Sequence, residues 1–275
     1  MKTPFRKTLN RAVFLLRKLF EPVLLLAVIL FLSTLLYTNA YLLRIHYIRK
    51  MVVYTILGVC TCIFGVSALL NLFLTFFRGP GDINKLLKKH QKDFDCLNDN
   101  YAPELFFECE KCECLRLFRC HHCSLCGKCQ PSFDHHCPVI ACCVGFNNRR
   151  NFFLFLLHCF IGGFCSFANH WPAFFSLLQN KYVLRSLFPR ILFMAGPLSA
   201  AGSLAMIVLF VSHLRFALRN STTYDNMVLK HMRKEHPTVK DPFCNGTRKE
   251  NWNKFHARDQ VKIAIPVIWW MFFPL

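Results

Sequence analysis

Acidic residues are scarce in this chain of 275 residues: 15 Asp and Glu stand against 34 Lys and Arg, a formal charge of +19 at pH 7. A surplus of that size raises nucleic acid as a partner, yet no nucleic-acid-binding motif accompanies it, and charge alone is a weak signal. Its placement argues against that class. Six Lys and Arg fall in 1–21, three in 42–50, eleven in 78–150, three in 176–190 and eleven in 215–275, so they flank the apolar blocks alternately. This is the positive-inside pattern of a membrane protein, whose basic margins are drawn to anionic lipid headgroups. Also lacking is a small-residue cleavage pattern behind the basic, interrupted stretch 1–21, so no cleavable signal peptide is expected. A third lack is local: 82–150 contains no long apolar run. A segment with so little aliphatic content cannot bury enough surface to be stable alone, which calls for a structural metal.

What is present in quantity is hydrophobic, 54% of the chain, and it comes in blocks. Residues 23–41, 51–77, 152–175 and 191–211 each approach or exceed the roughly 20 residues needed to cross a hydrocarbon core. The fold class that follows is an all-α polytopic membrane protein. It has four transmembrane helices and a small zinc-stabilised cysteine-rich domain in the cytosolic loop between helices 2 and 3. The segments expected are a cytosolic basic N-terminus (1–21), a first transmembrane hairpin (22–77), the cysteine-rich domain (78–150), a second hairpin (151–214) and a cytosolic tail (215–275). Phe5, Leu9, Val13, Leu16 and Phe20 recur at helical spacing, which fits an amphipathic surface helix as well as a disordered basic arm. Arg44, His46, Arg49 and Lys50 fall in the short loop of the first hairpin, and Arg78-Gly79-Pro80-Gly81-Asp82 stops its second helix. Gly162, Gly163 and Ser166 in the third span either leave room for a lipid chain or serve helix packing. The apolar end 261–275 is too short to span, and fits an interfacial, core-packing or disordered end equally.

The 16 cysteines are concentrated between Cys96 and Cys143 and mixed with histidines, which suggests a metal site in a reducing compartment rather than disulfides. Cys-x-x-Cys spacing occurs at Cys109/Cys112, Cys120/Cys123, Cys123/Cys126 and Cys126/Cys129, the bite a tetrahedral zinc ion takes from a turn. His121, His122, His135, His136, Cys114, Cys137, Cys142 and Cys143 bring the donors above what two zinc ions require. Some thiols and imidazoles are therefore left over, and a spare thiol beside a spare imidazole is a candidate nucleophile and base. Spacing alone does not say which are spare, and a purely structural zinc ribbon or RING-like module remains open.

The stretch Cys109-x2-Cys112-x9-His122-Cys123-x2-Cys126-x2-Cys129-x4-Asp134-His135-His136-Cys137-x5-Cys143-Val144-Gly145 resembles the DHHC family of membrane protein S-acyltransferases, or palmitoyltransferases. Thr222-Thr223-Tyr224-Asp225 resembles the family's Thr-Thr-x-Glu, and Asn251-Trp252 its C-terminal Asn-aromatic pair. The resemblance implies one zinc ion on Cys109, Cys112, His122 and Cys129, and a second on Cys123, Cys126, His136 and Cys143. It implies Cys137 as nucleophile, His135 as its base and Asp134 as the group orienting His135. It further implies a fatty acyl-CoA donor, with Arg116, Arg119, Arg149 and Arg150 as candidates for the CoA phosphates. The acceptors would be membrane-associated proteins with cytosolic cysteines. The expected setting is the bilayer of an endomembrane, Golgi or endoplasmic reticulum rather than plasma membrane, with the termini and the zinc domain cytosolic and no nucleic acid involved.

This chain departs from the family pattern at four places: Val139 for Trp, Cys142 for Asn, Leu117 for Pro and Asp225 for Glu. Loss of the Trp and Asn is expected to loosen packing under the active site. Cys142, with Cys114 and Cys120, is either a further thiol open to acylation or a small buried residue. The alternative function is a catalytically weak, membrane-anchored zinc adaptor that recruits partner proteins.

Overall fold

The computed structural model describes residues 4–82, 107–116, 119–179, 186–235, 237 and 247–256. The expectations placed on the basic face of 1–15, the Arg116 side chain, Leu117 and the apolar end 261–275 lie outside what is described. Among the described residues, four helices are long and apolar enough to cross a membrane: α1 (Pro4–Ile48, its apolar span Lys18–Ile48), α2 (Val52–Arg78), α3 (Arg149–Gln179) and α4 (Leu187–Leu218). Two further helices follow, α5 (Thr223–Glu235) and α6 (Arg248–His256).

The first hairpin differs in detail from the sequence reading. α1 runs without a break through Pro22, which a membrane helix tolerates where neighbouring groups take up the freed carbonyl. Arg44 and His46 are in its last turns, not in a loop. The reversal is confined to Arg49–Met51, where Met51 N–H donates to the His46 carbonyl at 2.8 Å and Lys50 takes a φ of 54°.

The chain clusters into two compact units. One comprises Leu26–Phe73, Asn151–Leu214 and Lys262–Leu275; the other Met1–Leu25, Leu74–Arg150 and Arg215–Val261. The first is built as a membrane bundle is. Leu30, Val66, Leu204 and Val208 are exposed, whereas Asn39, Asn71, Asn151, Asn169, His158 and His170 are buried. In hydrocarbon, polar side chains must find one another. Asn39 Nδ2 donates to Ser166 Oγ at 3.0 Å, Asn169 Nδ2 to Asn39 Oδ1 at 3.0 Å, and Asn151 Nδ2 to Asn71 Oδ1 at 3.2 Å. The small residues of α3 serve close packing: a Cβ on Gly162 would stand 3.2 Å from Phe64 Cβ of α2, and one on Gly163 3.2 Å from Ser203 Cβ of α4.

The second unit contains three antiparallel hairpins: β1 (Phe107–Cys109) with β2 (Cys114–Arg116), β3 (His121–Cys123) with β4 (Lys128–Gln130), and β5 (His135–Cys137) with β6 (Cys142–Val144). They repeat with a period of 14 residues: Cys109↔Cys114, Cys123↔Lys128 and Cys137↔Cys142 are equivalent pairs, and Glu113, Gly127 and Ala141 all have positive φ. Gly127 suits that left-handed turn best, having no Cβ. Strands of three residues are too short to specify themselves by hydrophobic alternation, so their closure depends on what their side chains hold.

Both short helices begin with a reciprocal cap. Thr222 Oγ1 accepts from Asp225 N–H at 3.1 Å while Asp225 Oδ2 accepts from Thr222 N–H at 2.9 Å, and Thr247 and Glu250 do the same for α6. This is the capping-box geometry, and the shorter Asp225 fulfils it. Asn251 is buried and donates from Nδ2 to the Leu218 carbonyl at 3.1 Å, which anchors α6 to the end of α4.

Candidate functional site

The 14-residue repeat explains how the donors divide. In the first hairpin Cys109 and Cys112 flank a turn, with Cys112 N–H donating to the Cys109 carbonyl at 3.0 Å; Cys123 and Cys126 occupy the same places in the second. On the second hairpin His122 stands opposite Cys129, and on the third His136 opposite Cys143. The structure gathers the turn pair of one hairpin with the strand pair of the next, giving Cys109, Cys112, His122 and Cys129 in one quartet and Cys123, Cys126, His136 and Cys143 in another. Within each, one donor atom per residue lies inside 4.8 Å of every other.

These quartets fit a tetrahedral cation. With metal–sulfur bonds of about 2.3 Å and metal–nitrogen bonds of about 2.0–2.1 Å, adjacent ligands stand about 3.6 Å apart. His122 Nδ1 is 3.7 and 3.1 Å from the Cys109 and Cys112 sulfurs, and His136 Nδ1 is 3.7, 3.4 and 3.4 Å from those of Cys123, Cys126 and Cys143. Charge points the same way. Hydrogen bonds from Cys126 and Cys143 drive the Cys123 thiol far down, and the same crowding drives Cys143 far up. A cation held among three such sulfurs would offset their negative charge.

The third hairpin breaks the pattern. Cys137 stands where Cys109 and Cys123 stand, and Ile140 N–H donates to its carbonyl at 3.3 Å, but Ile140, fully buried, replaces the second turn cysteine. Cys137 therefore stays outside both quartets. It is 8% exposed and shares a strand face with His135, since side chains alternate along β5 and His136 points the other way. His135 Nδ1 donates to Asp134 Oδ2 at 2.7 Å. Asp134 is itself buried and accepts at Oδ1 from Thr223 N–H, the first residue of α5, a helix N-terminus that favours negative charge. Burial, the largest influence on His135, favours its neutral ring; hydrogen bonds to Asp134 and Cys137 and the charges of both outweigh it and push the ring up to about 9.

Because that value lies above the ordinary 6.5, the Asp134–His135 ion pair contributes stability fully below about pH 6.5, and this is lost as pH rises through about 9. Asp134→Asn keeps an acceptor for Thr223 N–H and loses the charge. The melting-temperature gap between wild type and this variant is expected to be widest near pH 6 and to narrow steadily toward pH 10; a gap flat across that range would contradict the pairing.

Sequence reasoning missed Asn148. It is fully buried, accepts from Gly145 N–H at 2.9 Å, and donates to the carbonyls of Thr75 at 3.0 Å and Cys143 at 2.9 Å. It thus fixes the strand that carries Cys143, and a polar residue just before an apolar run is the available signal. Asn148→Ala is expected to cost about 1–3 kcal/mol for each buried group left unsatisfied, read as a drop in melting temperature. Gly145 beside it admits no side chain, since a Cβ there would lie 2.8 Å from the Pro131 carbonyl oxygen.

The departures also find places. Cys142 Sγ lies 3.8 Å from the Thr75 carbonyl and 3.9 Å from Asn148 Nδ2; burial first, then the charges of Cys137 and Cys126, push it up to about 12. It packs between the end of α2 and Asn148. Asp225 receives Arg119 Nη2 at 2.6 Å and Nε at 3.0 Å. Tyr224 packs against His121 with ring centres 4.2 Å apart and planes tilted by 37°, which holds α5 to the second hairpin. Of the other arginines, Arg149 lies over the Phe255 ring at 5.0 Å and Arg150 is buried.

The family model of the DHHC palmitoyltransferases matches residues 107–230, which takes in all three hairpins, α3, α4 and most of α5. Probable protein S-acyltransferase 13 of Arabidopsis thaliana is 30% identical over 162 residues, covering 58% of this chain and 51% of that protein. Probable protein S-acyltransferase 7 of the same plant is 29% identical over 243 residues, 74% and 53% of the two chains. Palmitoyltransferase ZDHHC15 of Homo sapiens is 32% identical over 125 residues, 42% and 34%. The chain spans about half the length of these curated relatives, or less. Its three hairpins, both Cys3His quartets and the Asp134–His135–Cys137 constellation lie inside the matched residues, so the family-model match and the S-acyltransferase relatives support the DHHC palmitoyltransferase family.

Proposed function

We propose that the chain is a protein S-acyltransferase that moves a long-chain fatty acyl group from acyl-CoA, through a thioester on Cys137, to a cysteine of a membrane-associated protein. The observation that carries this reading is the third hairpin, where Ile140 stands in a ligand position and Cys137 is left beside His135 and Asp134. Cys137 attacks the acyl thioester carbon as a thiolate, its proton resting on the His135 imidazolium. The carbon–sulfur bond to CoA then breaks, and the departing sulfur takes the proton from His135. The substrate thiol repeats the steps in its turn. One thioester replaces another, so the exchange is nearly balanced in free energy and needs no nucleotide. Asp134 holds the His135 tautomer with Nδ1–H inward and stabilises the imidazolium.

The two quartets would hold zinc, whose role is structural: it closes hairpins too short to stand alone, and so presents Cys137. Arg116, Arg119, Arg149 and Arg150 are assigned to the CoA phosphates. The zinc domain and termini face the cytosol, in accord with the cationic flanks, and the membrane is that of the Golgi or endoplasmic reticulum. Incubating the purified full chain with an alkyne fatty acyl-CoA tests the reading. Covalent label released by hydroxylamine is expected; an unlabelled, zinc-loaded chain would overturn it.

A further inference from the structure

α1 carries a single acidic side chain, Glu21. It is 9% exposed and sits at the membrane end of a cationic stretch, where an unpartnered carboxylate would be costly. Its partner is 115 residues away: Glu21 Oε1 stands 3.1 Å from Nε2 of His136. The other nitrogen of that ring, Nδ1, faces the sulfurs of Cys123, Cys126 and Cys143. A histidine that gives one nitrogen to a cation carries its proton on the other, and a carboxylate accepting that proton fixes the tautomer, locks the ring and makes it a better ligand.

We infer that Glu21 is the positioning residue of the second metal site, a carboxylate that acts through His136 and ties α1 to the hairpin bearing Cys137. The linkage is mechanical as well as electrostatic. His136 lies between His135 and Cys137 on a three-residue strand, so a locked His136 side chain holds the two on the opposite face. Glu21 thus makes the start of the first membrane span part of the site's support.

The inference rests on the metal reading of the second quartet, and one experiment separates the two. Zinc release to a colorimetric chelator is followed on the full chain for wild type, Glu21→Gln and Glu21→Ala. In Glu21→Ala one zinc equivalent is expected to leave about 10–100-fold faster than in wild type, while the equivalent in the first quartet leaves at the wild-type rate. Glu21→Gln keeps an acceptor oxygen without the charge, and should fall between. Wild-type release of both equivalents from Glu21→Ala, or equal acceleration of both, would overturn the inference while leaving the metal reading intact. A wild-type chain purified without zinc would contradict the metal reading and take the inference with it.

Discussion

Cys137→Ser is expected to reduce hydroxylamine-sensitive acyl labelling to background while leaving both zinc equivalents and the melting temperature near wild type. The structural part follows from what Cys137 touches. It lies outside both quartets, and sulfur-to-oxygen exchange at one buried position alters little volume. The chemical part follows from acidity: a thiol near pKa 8.5 yields its proton to a neighbouring imidazole, whereas an alcohol does not ionise in water near neutrality. Retention of label in this variant would move the nucleophile elsewhere. Tandem mass spectrometry of the labelled wild type, with the acyl group mapped to a peptide containing Cys137, checks the same point without a variant.

His136→Ala should fail in the opposite way. The neighbouring residue in sequence is a ligand, and its loss leaves three crowded thiols and the buried Glu21 carboxylate without the ring that joins them. Structural zinc in small peptides contributes about 10–16 kcal/mol to folding, on the scale of the whole stability of an ordinary domain, about 5–15 kcal/mol. One zinc equivalent is expected to be lost, the hairpin module to become protease-sensitive, and activity to vanish with it. A His136→Ala chain that kept both zinc equivalents and merely slowed would contradict the division of labour between adjacent histidines.

Much of this was legible in the chain itself, for identifiable reasons. Four apolar blocks read as spans because lipid demands length and hydropathy that nothing else in a sequence imitates. The donor quartets, implied by the family resemblance, recur in the structure as the turn pair of one hairpin and the strand pair of the next. What could not be read is what depends on distance or on very short elements. Three-residue strands carry no usable alternation, although the 14-residue recurrence of Cys109, Cys123 and Cys137 was there to be found. The role of Glu21 could not be read, because a partner 115 residues away leaves no local mark. The expected division between 1–21 and 22–77 is not a break either, since α1 runs across it. Asp225 looked like a departure from the family, yet it caps α5 and receives Arg119.

On the proposed function, metal-closed hairpins serve to present one uncoordinated thiol. Zinc content and a single-turnover acylation, measured on one preparation of the full chain, test it most directly. The prediction is two zinc ions per chain, one per quartet, with a burst of acyl-enzyme approaching one equivalent that disappears when the metal is stripped. Two zinc ions with no acyl burst would contradict it, and would leave a membrane-anchored zinc adaptor in its place.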